Sequence, residues 1–364
     1  MAGLKDGIFS VKVTDYLYSL IENVKEEYGE NSKEYKALYN QYIYSSKEDE
    51  VQVETNLKHY EAVLEDTEQN NLPNGIERLY KRQIVVNLTM VCAAHCRYCL
   101  RANYEVMQLT KQEINSIVNY CSEDANLKEI LVTGGDPFMV SSLLQYFIEQ
   151  IIANATNIKI IRIGTRVPVQ DPDKIDSNLF SFFEKVSNKI NIEVALQVNH
   201  VIELQSKTKN IIKDLQKSKV TIYSQNVLLK GVNDNIKTLI TLYDTLRYLG
   251  IESHYLFHSI PMKGTNHLRT SVSKGLKLVQ QLTASGEISG RTKPTYALMT
   301  YIGKVILYDG TIIKKDSEGY LHIKTYYRLK DRQKWNKYYA LPKEQAYMGT
   351  DGYIVAKYLD GTDS

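Results

Sequence analysis

Only four cysteines occur in 364 residues, and three of them, Cys92, Cys96 and Cys99, fall within eight positions, leaving Cys121 alone. That distribution excludes a disulfide framework and fits a reducing, cytoplasmic setting. No apolar run reaches the ~18 residues a membrane-spanning helix needs, so no membrane partner is expected. The first twenty residues lack a charged leader followed by an apolar core, so no secretory signal is expected. Charge of one sign is missing too. Lys plus Arg is 45, Asp plus Glu is 42, and the net charge is +3. Nothing there asks for nucleic acid. Phenylalanine is scarce, with seven against 28 tyrosines. Tyrosine suits half-buried strands and surfaces, so this bias concerns composition rather than a site. Solenoid repeats and low-complexity segments are absent.

What is present is alternation. The length allows one barrel-sized domain with extensions or two domains. Residues 1–80 are polar and charge-rich, with helices expected near Thr14–Tyr28 and Ser32–Tyr44 and a turn at Asn70–Gly75. From Ile84–Val91, a short run rich in β-branched residues, six strand–helix units follow. The later strands are expected at Glu129–Gly135, Ile158–Thr165, Ile190–Val198, Val220–Leu229 and Glu252–Ser259. Thr110 and Glu113 form a capping box that starts the first helix. Near-continuous apolar strands between amphipathic helices indicate an α/β protein, a parallel sheet with helices outside. Six units suit either an open doubly wound sheet or most of a barrel. The remainder, 295–364, has strand and turn signals at Asp-Gly and Glu-Gly, and is read as a β-rich appendage.

The cysteines follow the first expected strand as C-x3-C-x2-C. Thiolates suit iron–sulfur clusters or zinc. A structural zinc site closes with four protein ligands. His95 is awkwardly adjacent to Cys96, and Cys121 lies on the next helix and reads as core. Three cysteines on a [4Fe–4S] cluster would leave one iron open to a substrate. "TGGDP", Thr133–Pro137, ends the second strand; its glycines permit close backbone approach and Asp136 can accept from an ammonium.

Cysteine triplet and glycine turn together resemble the radical S-adenosylmethionine (SAM) superfamily. Further segments, "LEDTEQNNLPNGIERLYKR", "IRIGTRVPV", "VLLKGVND" and "GTNHLRTSVSKG", resemble in order the lysine 2,3-aminomutase family, over roughly residues 60–304. The resemblance implies a partial (β/α)6 TIM-like barrel at 81–294, with a helical extension at 1–80 and the β-rich segment at 295–364. It implies three cofactors: a [4Fe–4S] cluster on Cys92, Cys96 and Cys99, SAM, and pyridoxal 5′-phosphate (PLP). Gly134, Gly135, Asp136 and Gln225 are matched to SAM. Arg101 is matched to the substrate carboxylate, Arg78 and Arg82 to the PLP phosphate, and Lys304 to the PLP-bearing lysine. The implied reaction is migration of an amino group from Cα to Cβ of an amino acid, started by a radical made from SAM. An external electron donor of flavodoxin or ferredoxin type is implied as partner. The oligomeric state stays open, a homo-oligomer included.

Two departures matter. The family carries a run of four glycines before its PLP lysine, where this chain has "MTYIGK" with only Gly303. The two aspartates that grip a lysine substrate's distant ammonium are matched here by Ile260 and Ala297. Free lysine is therefore not the expected substrate, and a site with Ile260, Ala297 and Tyr296 suits an uncharged side chain. Three classes remain open: a PLP-dependent radical aminomutase, a radical SAM dehydrogenase, epimerase or peptide-modifying enzyme without PLP, and a non-catalytic iron–sulfur or zinc protein. Arg162, Arg166 and the histidines His200, His254, His258 and His267 receive no role.

Overall fold

A computed structural model describes residues 10–50, 71–101, 107–308 and 310–363. The first part of the family-like stretch, residues 60–70, lies outside the described residues.

The nine strands of the large sheet run in chain order: β1 (Ile76–Glu77), β2 (Gln83–Thr89), β3 (Glu129–Gly134), β4 (Ile160–Thr165), β5 (Asn191–Leu196), β6 (Thr221–Leu228), β7 (Glu252–His258), β8 (Thr295–Thr300) and β9 (Gly303–Ile306). β2 to β8 pair in parallel, while β1 and β9 close the two edges antiparallel. The sheet curls into the expected partial barrel. It also runs on past residue 294, because β8 is a seventh parallel strand and β9 turns back on it.

The helices α1 (Asp15–Tyr28) and α2 (Lys33–Tyr42) precede the barrel. The six crossover helices are α3 (Lys111–Glu123), α4 (Ser141–Asn154), α5 (Asn178–Val186), α6 (Ser206–Lys217), α7 (Ile236–Tyr248) and α8 (Val272–Ala284). The capping box that starts α3 forms as the sequence predicts: Thr110 Oγ1 accepts from the Glu113 amide at 3.2 Å, and the Glu113 carboxylate accepts from the Thr110 amide at 2.7 Å. The main core lies between strands and helices, where Ile130, Val132, Ile161 and Ile163 meet residues such as Ile117 and Phe147. Cys121 is wholly buried in it. Helix α8 approaches the sheet through Gly275, where a Cβ would collide with the Tyr296 hydroxyl.

A strand alternates its side chains between two faces. The inward positions of β2, β3, β5 and β6 therefore line the barrel interior with Gln83 and Val85, Leu131 and Thr133, Ala195, and Gln225 and Val227. Below them lies a polar layer. Arg162 on β4 pairs with Glu129 on β3 and is in register with Glu193 on β5. Arg162 thus has a structural partner.

The chain after β9 forms a separate antiparallel sheet, β10 (Ile312–Lys315), β11 (Tyr320–Lys324), β12 (Ala346–Met348) and β13 (Ile354–Leu359), in the order β10-β11-β13-β12. Its last two strands are joined across Asp351-Gly352, a further Asp-Gly turn with Gly352 at φ +76°. Its contacts with β8 and α8 place it beside the barrel edge, where Asp360 and Asp363 accept from the Val272 and Ser271 amides at 2.8 Å each.

Candidate active site

A cavity of about 560 Å³ opens at the C-terminal ends of the parallel strands and reaches into the barrel. In barrels of this kind the strand ends are where loops converge, so polar side chains from distant segments share one space. Cys92, Cys96, Cys99, Arg101, Gly134, Gly135, Asp136, Gln225, Arg78 and Lys304 all line it. Arg82 does not. It sits before β2, at the opposite end of that strand, and is exposed.

The three cysteines lie in the loop after β2 and line one side of the cavity. Burial, with neighbouring cysteine sulfurs adding repulsion, pushes the Cys99 thiol up to about 11 and the Cys92 thiol higher still. Half-buried sulfurs that repel one another need a positive centre to be held as thiolates, which is what iron supplies. Among the described residues, no three His, Cys, Asp or Glu side chains are placed to hold a single metal ion. Cys121 stands apart, its thiol pushed up to about 12 by burial alone in large part.

The N-terminal extension holds this loop in shape. The Lys12 carbonyl accepts from the His95 amide at 2.9 Å, and the Gln41 carbonyl from the Arg97 amide at 2.9 Å. Lys12 Nζ donates to the Cys92 carbonyl at 2.6 Å. Arg97, inside the cysteine motif, is fully buried and pairs with the equally buried Glu48, its Nε donating to Oε1 at 2.9 Å. Its second partner is the Ser10 carbonyl at 3.2 Å. Pairing and hydrogen bonding together make such a burial tolerable.

The glycine turn serves the loop as well as the cavity. A Cβ on Gly134 would strike the Thr89 carbonyl, and one on Gly135 the Met90–Val91 backbone. Gly134 also has φ +109°, which a side chain would resist. The Asp136 amide donates to the Val91 carbonyl at 2.8 Å. Its carboxylate corrects the sequence reading. Both oxygens take Thr165 Oγ1 at 2.8 and 2.9 Å, and they also accept from the amides of Phe138, Arg166 and Val167 at 3.1, 2.7 and 3.1 Å. Burial raises its pKa to about 6 despite these donors. Asp136 is a brace between β3 and β4, already filled, rather than an open acceptor for an ammonium.

Gln225 is different. Among the described residues its Nε2 is buried without a hydrogen-bond partner, and the side chain lines the cavity. An orphaned donor in a cleft is a place for a ligand's acceptor.

The phosphate pair assigned from sequence does not form. Arg78 turns away to helix α3, donating to Asp124 Oδ2 at 2.6 Å, to the Lys81 carbonyl at 3.1 Å and to the Tyr120 hydroxyl. Arg101 lies in the cavity wall 3.7 Å from Glu77.

Lys304 projects from β9. Its ammonium lies 5.1 Å from the Tyr255 ring centre and 5.8 Å from that of Phe257. Burial, with Arg162 adding repulsion, lowers its pKa to about 8. Its backbone is clamped: the amide donates to the Tyr80 hydroxyl at 3.2 Å, and the carbonyl accepts from the Tyr327 hydroxyl at 2.8 Å. The tail completes this end. Arg332 stacks on Tyr327 and Tyr339, donates to the Tyr339 hydroxyl at 3.0 Å, and so fixes the segment 339–342 that roofs the cavity. Ile260 lines the cavity and Ala297 is fully buried on β8. Tyr296 is a correction: it faces α8, with its hydroxyl 2.7 Å from His258 Nδ1. Arg166, to which the sequence assigned no role, is a buried guanidinium between the cysteine loop and two other segments; it lines the cavity and pairs with Glu203.

No family model matches the chain. Over 233 residues it is 31% identical to the L-lysine 2,3-aminomutase of Buchnera aphidicola, covering 64% of this chain and 67% of that protein. The chain belongs to the lysine 2,3-aminomutase family. Another member, the L-lysine 2,3-aminomutase of Methanococcus maripaludis, is 29% identical over 296 residues, which cover 80% of this chain. The chain spans 64% of that relative's length, a little under two thirds. The glutamate 2,3-aminomutase of Clostridioides difficile is 29% identical over 233 residues, covering 63% of this chain and 54% of that one. Among solved structures, a radical SAM methyltransferase from Sphaerobacter thermophilus is 18% identical with a TM-score of 0.46, covering 62% of this chain and 68% of that one. Among the described residues of this family member, no helix is long and apolar enough to cross a membrane.

Proposed function

We propose that this chain is a radical SAM aminomutase that moves an amino group between Cα and Cβ of an amino acid whose side chain is uncharged. The observation that carries the reading is the shared cavity: three thiols, an orphaned amide donor and a buried amine of lowered pKa open onto one space. When bound, a [4Fe–4S] cluster, SAM and PLP would supply the one-electron and amino-migration chemistry.

The chain's own residues have separate tasks. Cys92, Cys96 and Cys99 would hold the cluster and leave one iron open. Gly134 and Gly135 let the turn close on the cysteine loop, and Gln225 offers Nε2 to SAM. Arg101 presents a guanidinium fork to a substrate carboxylate. Lys304 holds an amine that loses its proton near pH 8, so it can attack a carbonyl carbon at mild pH. Tyr339–Pro342 and the barrel wall exclude water from this end. Electrons come from an external low-potential donor.

For a cationic substrate the cavity offers no free carboxylate among the described residues. Asp136 is filled, and Glu77 accepts from Asn87 Nδ2 at 2.7 Å beside Arg101. A second reading, radical SAM chemistry without PLP, is favoured by one observation: Arg78 and Arg82 make no phosphate cradle.

Protein purified without oxygen decides between them. Borohydride reduction after PLP loading, then peptide mapping, should place the adduct on Lys304. An adduct on Lys263 or Lys293 rejects the Lys304 assignment, and no adduct leaves the reading without PLP. Amino-acid panels with SAM and dithionite then test the migration itself.

A further inference from the structure

Arg166 follows β4 directly and begins the helical turn Val167–Gln170, yet its guanidinium reaches back to the cysteine loop. Nη1 donates to Cys96 Sγ at 3.0 Å and to the Tyr98 hydroxyl. Nη2 donates to Gln41 Oε1 at 3.2 Å and to the Glu203 carboxylate. The planar group lies 5.3 and 5.6 Å from the ring centres of Tyr42 and Tyr98. From the same turn, Gln170 Nε2 donates to Cys96 Sγ at 3.3 Å and to the Ala94 carbonyl at 3.4 Å.

One cysteine sulfur therefore receives two side-chain N–H donors, one of them charged, from an element on the far side of the glycine turn. Arg166 is only 5% exposed and Gln170 2%, so water does not screen these contacts. Arg97 is not available to compensate, since it is spent on Glu48.

We propose that Arg166 and Gln170 are positioning residues that fix the Cys96 sulfur and raise the reduction potential of the iron–sulfur cluster it would ligate. This rests on the cluster assignment made above. Reduction adds one electron to the cluster, taken from a low-potential one-electron donor that is itself oxidised; no protein bond forms or breaks. The added negative charge spreads onto the cysteine sulfurs. Hydrogen bonds to sulfur and a nearby positive charge stabilise that reduced form more than the oxidised one. The side chain also connects redox chemistry to the N-terminal extension, because Gln41 on α2 shares the same guanidinium.

The test is a dithionite titration of the anaerobically reconstituted full chain, followed by electron paramagnetic resonance. Iron and sulfide are measured on the same samples. Arg166→Gln and Gln170→Leu are each expected to keep the cluster and to move its midpoint to more negative potential, with the larger shift in Arg166→Gln. Arg166→Lys, which keeps the charge but not the fork, should fall between Arg166→Gln and the unaltered chain. If the Arg166 variants do not fold, Gln170→Leu decides alone: a negative shift supports the inference and an unchanged midpoint overturns it. Full clusters with unaltered midpoints in all variants overturn it likewise. An unaltered chain that binds no iron and sulfide refutes the cluster assignment instead, and this inference with it.

Discussion

The two ends of the cavity are built in opposite ways. At the cysteine end, charged and polar groups are packed together and nearly every one is paired: Arg97 with Glu48, Arg166 with Glu203, and Asp136 with Thr165 and the amides around it. At the Lys304 end the amine sits against aromatic rings, under a roof from the tail, with no carboxylate in contact among the described residues. The first end is rigid because a buried charge without its partner is costly. The second leaves its charge uncomfortable, and a buried amine in that state gives up its proton easily. Under the proposed function, one end would hold a cofactor still and the other would form and break a bond.

The contrast breaks most severely at the cysteines. Alanine at Cys92, Cys96 or Cys99 is expected to abolish cluster binding, and Cys121→Ala to keep it with a stability loss of about 1 kcal/mol. Iron and sulfide analysis checks both; loss of the cluster in Cys121→Ala would mean an all-cysteine site with no open iron. Next comes the support of that end. Glu48→Ala removes the carboxylate that neutralises the buried Arg97, and should cost roughly 3–5 kcal/mol in urea unfolding. A loss below ~1 kcal/mol would show that the extension does not clamp the loop.

At the other end the expected effect has the opposite sign. The folded pKa of Lys304, about 8, lies below its unfolded value of 10.5. Between those values the unfolded chain binds the extra proton, so this group's contribution to stability rises with pH. Below pH 8 the folded protein carries the buried charge and is penalised. Lys304→Met should therefore be more stable than the parent at pH 7, and the difference should shrink towards pH 10. Thermal unfolding at a series of pH values would show this; a pH-independent difference would mean the amine is not strained. The same variant should yield no borohydride-fixed PLP. The smallest effect concerns the substrate. Lysine should turn over poorly beside neutral amino acids, and Ile260→Asp should improve it by about tenfold or less, because one carboxylate replaces two. Efficient formation of β-lysine by the unaltered chain would contradict the pocket's chemistry.

Much of the first end was legible because its signals are local. The C-x3-C-x2-C spacing, the Gly-Gly-Asp turn and the α3 capping box each lie within a few residues. Near-continuous apolar strands and helical patterns also located the six units, since the strands are covered by helices and each helix buries its own apolar face. The errors came where a side chain had a choice of distant partners. Arg78 has the right neighbours in sequence for a phosphate, but Asp124 and Tyr120, more than forty residues on, take its guanidinium. Asp136 has the right turn for an ammonium, but the β4 exit fills it. Tyr296 lies beside Ala297 in sequence, and strand alternation sends it to the opposite face.

By itself, then, the sequence determined the repeated strand–helix order, the loop that gathers three thiols, and the absence of charge at Ile260 and Ala297. Those properties depend on residue type and short spacing. Only the tertiary structure decided that the N-terminal extension clamps the cysteine loop through Glu48, that Arg166 reaches Cys96 from seventy positions away, and that β9 delivers Lys304 into the cavity under a roof from the tail. A buried charge takes whichever partner the fold brings within reach, and no local pattern records which one that is.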